Sequence, residues 1–423
     1  MPATFAIVLL ALTVPSSAIP YAVQTNFSGP DFFDSFDFWT QYDPTFGFVE
    51  YVDRQTAVSL NMLNVTDGVA YFGADSVQTY DPYANKGRKS LRLSTKQTFN
   101  HGLFVIDLAH MPSSACGIWP AVWMLGNGPL LWPAYGEIDI VEFTNDARHN
   151  LFALHTTPDC TIAGSGQTGT LLTNDCGEDQ GYKGCGVSPD IPNSAGTDFN
   201  TQGGGAFIVE WTSAAIKIWL FPRTVGIPSQ FSLALTPDPD VLGVPTANYQ
   251  GGCSIDDHFA NMQVIFNIDF CGTWAGPTFN TNNSCPVSDP NQWTSCNVYV
   301  GSNPQAYKDA YFAVNSLVVY QPVAASAPTT SSVTSVTPAE STTSVTAGGA
   351  EGRPTTSSTA SQFMAPVPDP EISVAVPSST NTTTASSSAL IGEPGTFVIS
   401  TQIIILTSIV TIVAPPATKS GNS

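Results

Sequence analysis

Between residues 27 and 322 the chain repeats one pattern. A short apolar run, often alternating with polar residues, is followed by Gly, Pro, Asn or Asp. "GRKSLRLS", "HGLFVIDLA", "FIVEWTS", "AIKIWLFP", "MQVIFNIDF" and "AYFAVNSLVVYQ" are such runs. Alternation with period two puts apolar side chains on one face of a strand and polar ones on the other. No long stretch has the apolar spacing of an amphipathic helix. Many half-buried strands must cover one another, which predicts an all-β sandwich or jelly roll. The region is large for one sandwich, so long loops are expected.

Both flanks differ from this region. Residues 1–18, "MPATFAIVLLALTVPSSA", read as a secretory signal peptide: a short apolar run followed by small residues. The run is too short for a bilayer span of about 20 residues. Residues 323–395 are rich in Ser, Thr, Pro and Ala, and bury too little apolar surface to offset the entropy of ordering. They read as an extended, O-glycosylated stalk. The apolar tail, residues 396–423, includes the uncharged "FVISTQIIILTSIVTIVA". It is long enough to span, yet diluted by Ser, Thr and Gln, and the chain continues past it. Membrane or cell-wall attachment through this tail and a tail without that role both stand.

Charge narrows the partner class. The 423-residue chain has a net charge of −20. Phosphate backbones need Lys and Arg, so nucleic acid is excluded, and anionic lipid surfaces are disfavoured. A neutral polysaccharide fits. Eight cysteines, 116, 160, 176, 185, 253, 271, 285 and 296, fall inside the strand-rich region without CxxC or zinc-ligand spacing. They read as disulfides of an exported protein, with about 105 connectivities open. Sequons at Asn26, Asn64 and Asn282 agree with export.

"GEIDIVEF", residues 136–143, crowds Glu137, Asp139 and Glu142 onto an apolar strand. Strict alternation puts Glu137 and Asp139 on one face but turns Glu142 in among the isoleucines. A charge in an apolar core costs several kcal/mol. One extra residue near Ile140–Val141, a β-bulge, returns Glu142 to the acidic face, and that bulge is predicted. Asp139 is then placed to hydrogen-bond Glu137 and orient it. Two long glutamates leaning together can reach the ~5–5.5 Å separation of a retaining glycosidase pair, with one ionised and one protonated. A calcium site and a merely solvated sheet face are the competing readings. Nearby Trp119, Trp123 and Trp132 offer flat faces to sugar rings, or else fill the core.

The segments "WPAVWMLG", "WPAYGEIDIVE" and "LHT" resemble glycoside hydrolase family 16, in the manner of its fungal endo-1,3(4)-β-glucanases (laminarinases). "GRKSLRLS", "HGLFVIDLAHMP", "VEWTSAAIKIWLFPR" and "FNIDFCGTWAG" extend the match over nearly all of residues 27–322, the expected catalytic domain. The resemblance implies a concanavalin A-like β-sandwich jelly roll of two curved antiparallel sheets, with a substrate groove on the concave face. It implies Glu137 as nucleophile, Asp139 as its electrostatic support and Glu142 as acid/base. It implies His155 beside the cleaved bond and Trp123 and Trp132 as substrate-stacking residues; Trp119, close to the acids in sequence, is taken as substrate-binding with them. Two departures border the groove: "EFTND" follows where many fungal members read "EGVN", and "LGNGPLLW" holds extra residues before Trp132.

The expected function is a secreted, endo-acting, retaining β-glucan hydrolase needing no cofactor or metal, with a neutral β-glucan as partner and no sign of an oligomer beyond the monomer. A cell-wall transglycosylase with the same acids and a non-catalytic glycan-binding jelly roll are the alternatives.

Overall fold

The computed structural model describes residues 21–178, 184–231, 236–281 and 283–323. The signal peptide, the tail, all but the first residue of the stalk, and the sequon at Asn282 lie outside the described residues. The described residues all belong to one compact unit.

Two eight-stranded antiparallel sheets carry the described chain, and the architecture is a β-sandwich jelly roll. The first sheet runs, edge to edge, Thr170–Leu171, Cys185–Ser188, Phe152–His155, Glu137–Glu142, Ile118–Gly126, Met262–Phe270, Arg92–Thr95 and Phe36–Phe38. The second is built around Gly102–His110 and Tyr311–Pro322. The strand Tyr21–Phe27 precedes the expected start of the folded region and pairs with Tyr311–Pro322, with Tyr21 buried. Among the described residues the longest helix is Gln292–Ser302, eleven residues.

The sheets meet over a continuous core containing Ile138, Ile140 and Val141 from the acid strand and Phe104, Ile106 and Leu108 from the opposite sheet. Burying each such side chain contributes about 1.5–3 kcal/mol. The outer face of the second sheet is covered as well: Leu103, Val105, Ile208 and Val318 pack with Trp219 and Phe231. That double burial explains why "GLFVI" shows no alternation.

All eight cysteines are paired: Cys116–Cys285, Cys160–Cys253, Cys176–Cys185 and Cys271–Cys296. Each bridge has at least one end within a few residues of a first-sheet strand, so together they brace the loops around that sheet. The sequons Asn26 and Asn64 are exposed.

Candidate active site

The acid strand carries the predicted irregularity. Against Ile118–Gly126 its register runs Asp139 to Trp123, then Val141 to Val122, so Ile140 is the extra residue. Ile138, Ile140 and Val141 are fully buried, while Glu137 and Glu142 are only half-buried. The bulge frees two backbone groups, and one side chain takes both. Asn150 Nδ2 donates to the Ile140 carbonyl at 2.9 Å, and its Oδ1 accepts from the Glu142 N–H at 2.9 Å. Buried backbone groups left unpaired would each cost about 1–3 kcal/mol. Asn150 thereby fixes the kink that aims Glu142.

Each glutamate has its own indole partner. Trp132 Nε1 donates to Glu137 Oε2 at 2.7 Å, and Trp119 Nε1 donates to Glu142 Oε1 at 2.9 Å. Trp119 also stands edge-on to Trp274, ring centroids 5.7 Å apart. Trp123 donates to Asn267 Oδ1 at 2.6 Å, and the Arg92 guanidinium lies between the Trp123 and Trp39 rings, 4.9 and 4.8 Å from their centroids. Trp132 keeps 40% of its surface exposed. Trp119 and Trp123 are half-buried. All three line the acidic face, and none is a sealed core residue.

His155 sits across the ladder from Glu137. Its Nε2 is 3.3 Å from Asp139 Oδ2, and its Nδ1 contacts Glu178 Oε1. The hydrogen bond expected between Asp139 and Glu137 is absent among the described residues. The imidazole supplies a nearer opposite charge for Asp139, and Trp132 takes Glu137. Glu178, two residues beyond Cys176, is held at the site by the Cys176–Cys185 bridge. No sequence motif marks Glu178 or Asn150, and Arg92 lies in "GRKSLRLS" without a role at the site being assigned to it. They come to the site from a disulfide loop, an irregular turn and a strand three places from the acid strand.

Electrostatics separate the two glutamates. Burial first, and the neighbouring Asp139 second, push Glu137 up to about 8, while His155, Trp132 and Arg92 oppose the rise. Burial and Asp139 also hold Glu142 well above the usual carboxylate range, opposed chiefly by Trp119. The two groups titrate together. His155 is the largest influence favouring the anion at Glu137, and the Trp119 donor is the largest at Glu142. Burial alone would lower His155. Its bonds to Asp139 and Glu178 more than reverse this and keep the ring protonated.

Ligand atoms of Glu137, Asp139 and His155 lie within 4.8 Å of one another. They make a poor metal set, because both ring nitrogens face carboxylates and an imidazolium has no lone pair to give. What the arrangement can do is attack an electrophilic carbon with one carboxylate while a second carboxyl delivers a proton nearby.

Comparison with known proteins gives the same region. The family model described as "XgeA-like, catalytic GH16 domain" matches residues 36–320. A probable endo-1,3(4)-β-glucanase of Aspergillus niger is 41% identical over 327 residues, covering 75% of this chain and 42% of that protein. Endo-1,3(4)-β-glucanase xgeA of Emericella nidulans is 40% identical over 313 residues, 73% of this chain and 48% of that protein. The chain therefore spans less than half the length of these two relatives. An elongating family 16 β-1,3-glucosyltransferase superposes with TM-score 0.68 at 40% identity, over 71% of this chain and all of its own. Laminarinase 16A of Phanerochaete chrysosporium, solved with 6-O-glucosyl-laminaritriose in donor and acceptor sites, gives TM-score 0.67 at 36% identity, over the same shares.

Proposed function

This chain belongs to glycoside hydrolase family 16, and from that premise we propose that it is a secreted, endo-acting β-glucan hydrolase that retains anomeric configuration. The observation carrying the reading is the bulged strand that sets Glu137 and Glu142 on one face, each held by its own indole donor.

In the first step the ionised Glu137 oxygen bonds to the anomeric carbon as the glycosidic C–O bond breaks. Glu142 gives its proton to the departing oxygen. In the second step Glu142, now ionised, takes a proton from water. The water oxygen bonds to the anomeric carbon and the ester to Glu137 breaks. Asp139 and the protonated His155 hold a fixed field around the nucleophile. Trp119, Trp123 and Trp132 offer ring faces to the sugar. Complete pairing of the cysteines among the described residues supports an oxidising, extracellular compartment.

The reading is tested by incubating the protein with β-1,3-, mixed-linkage and β-1,4-glucans and following the new reducing ends by NMR. β-Anomers formed first, and their loss in Glu137→Gln, are expected. Initial α-anomers, or undiminished hydrolysis by Glu137→Gln, would overturn it.

A second reading rests on the 40% identity to an elongating β-1,3-glucosyltransferase. Sugar in place of water at the second step makes the chain a transglycosylase. Mass spectrometry distinguishes the two: oligosaccharides longer than the substrate favour transfer, and only shorter ones favour hydrolysis.

A further inference from the structure

The turn around residues 42–47 presents two aromatic rings to solvent at one end of the acidic face. Tyr42 is 65% exposed and Phe46 is 60% exposed, their centroids 6.2 Å apart and tilted edge to face. Phe46 holds φ 59°, a left-handed conformation uncommon for a bulky residue. Its own packing does not impose this, since the ring is mostly in water. The backbone on either side does. Asp43 Oδ2 accepts from the N–H of Thr45 at 3.1 Å and of Gly47 at 2.8 Å, and Phe46 N–H donates to the Asp43 carbonyl at 3.2 Å. Gly47 packs against the buried Asp269, where a Cβ would come within 1.9 Å of Oδ1. Strain of this kind persists where surroundings over-determine the backbone, commonly at ligand clamps.

The turn is continuous with the site. Thr45 Oγ1 lies 2.9 Å from Asp269 Oδ2, and the Thr45 carbonyl accepts from the Thr273 N–H at 2.9 Å. Asp269 pairs in register with Trp119, whose indole holds Glu142, and Trp274 follows Thr273 and meets Trp119 edge-on. A chain of direct contacts thus runs from the acid to the exposed pair. We propose that Tyr42 and Phe46 form an additional carbohydrate subsite, stacking a glucosyl residue of a β-glucan chain that extends beyond Trp119. Apolar C–H faces of a neutral sugar suit a pair of solvent-exposed aromatic rings. The occupant is chosen on the β-glucan reading above.

The test uses Tyr42→Ser/Phe46→Asn, Asn being tolerant of the left-handed backbone. The preference for laminariheptaose over laminaritriose, as a ratio of kcat/KM, should fall about tenfold with little change on the short substrate, a loss equal to about 1.4 kcal/mol. An unchanged ratio overturns the subsite. Binding of both oligosaccharides is measured in parallel in the Glu137→Gln background by calorimetry. Weakening confined to the long ligand supports the subsite, and equal affinities with and without the ring substitutions overturn it. Absence of hydrolysis by the parent counts against the β-glucanase reading alone, because the binding arm still decides the subsite.

Discussion

Trp119 donates its indole N–H to Glu142 across 2.9 Å, and that donor is the chief influence resisting the upward push of burial and of Asp139 on the Glu142 carboxyl. Trp119→Phe keeps a ring against Trp274 and removes only the donor. The anion of Glu142 is then less stabilised, so Glu142 holds its proton to higher pH. The alkaline limb of kcat/KM, which reports the acid in the free enzyme, should move to higher pH. A pH–rate profile with that limb unmoved or shifted downward would contradict the assignment of Glu142 as the acid.

Glu178 acts through His155. Its carboxylate, with that of Asp139, keeps the ring cationic, and the ring lowers Glu137 against burial. Glu178→Gln retains an acceptor for Nδ1 but removes the charge. His155 becomes easier to deprotonate, Glu137 loses part of its opposing cation, and its pKa rises. The acid limb of kcat/KM should therefore move to higher pH while the alkaline limb moves less. A uniform fall in rate without displacement of the acid limb would assign Glu178 a purely structural role.

Asn150 makes both bonds left open by the bulge. Asn150→Ala strands the Ile140 carbonyl and the Glu142 N–H in a buried setting, at about 1–3 kcal/mol for each group. Urea unfolding should show a loss of at least about 2 kcal/mol. The kcat for β-glucan should fall more than KM rises, because Glu142 is mis-aimed while the tryptophans remain. Full stability with full activity would mean that the ladder holds the kink unaided.

The bulge was legible because the alternative is a charge among isoleucines, a cost of several kcal/mol that the chain avoids with one extra residue. The sandwich was legible in period-two runs such as "MQVIFNIDF", which form the strand Met262–Phe270. What stayed hidden depends on contacts across the sequence. Nothing local pairs Cys116 with Cys285, 169 residues apart, or brings Glu178 to His155 from a disulfide loop. Asp139 was expected to bond Glu137 because both lie on one strand face. The cross-strand His155 offers the nearer partner, and a single strand cannot reveal its neighbour. Trp132 read as a sugar platform, and its 40% exposure leaves a face for that use, but its N–H is already committed to Glu137.

Thr45 has one hydroxyl hydrogen and two carboxylate neighbours, Asp43 Oδ2 at 2.6 Å and Asp269 Oδ2 at 2.9 Å. One hydrogen cannot serve both, so a carboxyl must supply another. Asp43 Oδ2 already accepts two backbone N–H groups, which assigns the proton to Asp269, donating to Thr45 Oγ1. Burial and Asp43 hold Asp269 well above the ordinary aspartate value of 3.8, against the Phe270 N–H and Thr45. The other groups facing it are Tyr51 and, beyond that ring, Arg92. The folded chain thus keeps a proton that the unfolded chain has released. Stability from this group is complete below 3.8 and is lost as pH rises toward the folded pKa, at up to about 1.4 kcal/mol per pH unit. Asp269→Asn keeps both hydrogen bonds, through an amide donor to Thr45 and a carbonyl acceptor for Phe270, and carries no titration. Denaturant unfolding across pH 4–8, roughly the range over which an aspartate with a raised pKa releases its proton, should show the variant gaining on the parent as pH rises. A constant difference over that range would place the proton elsewhere.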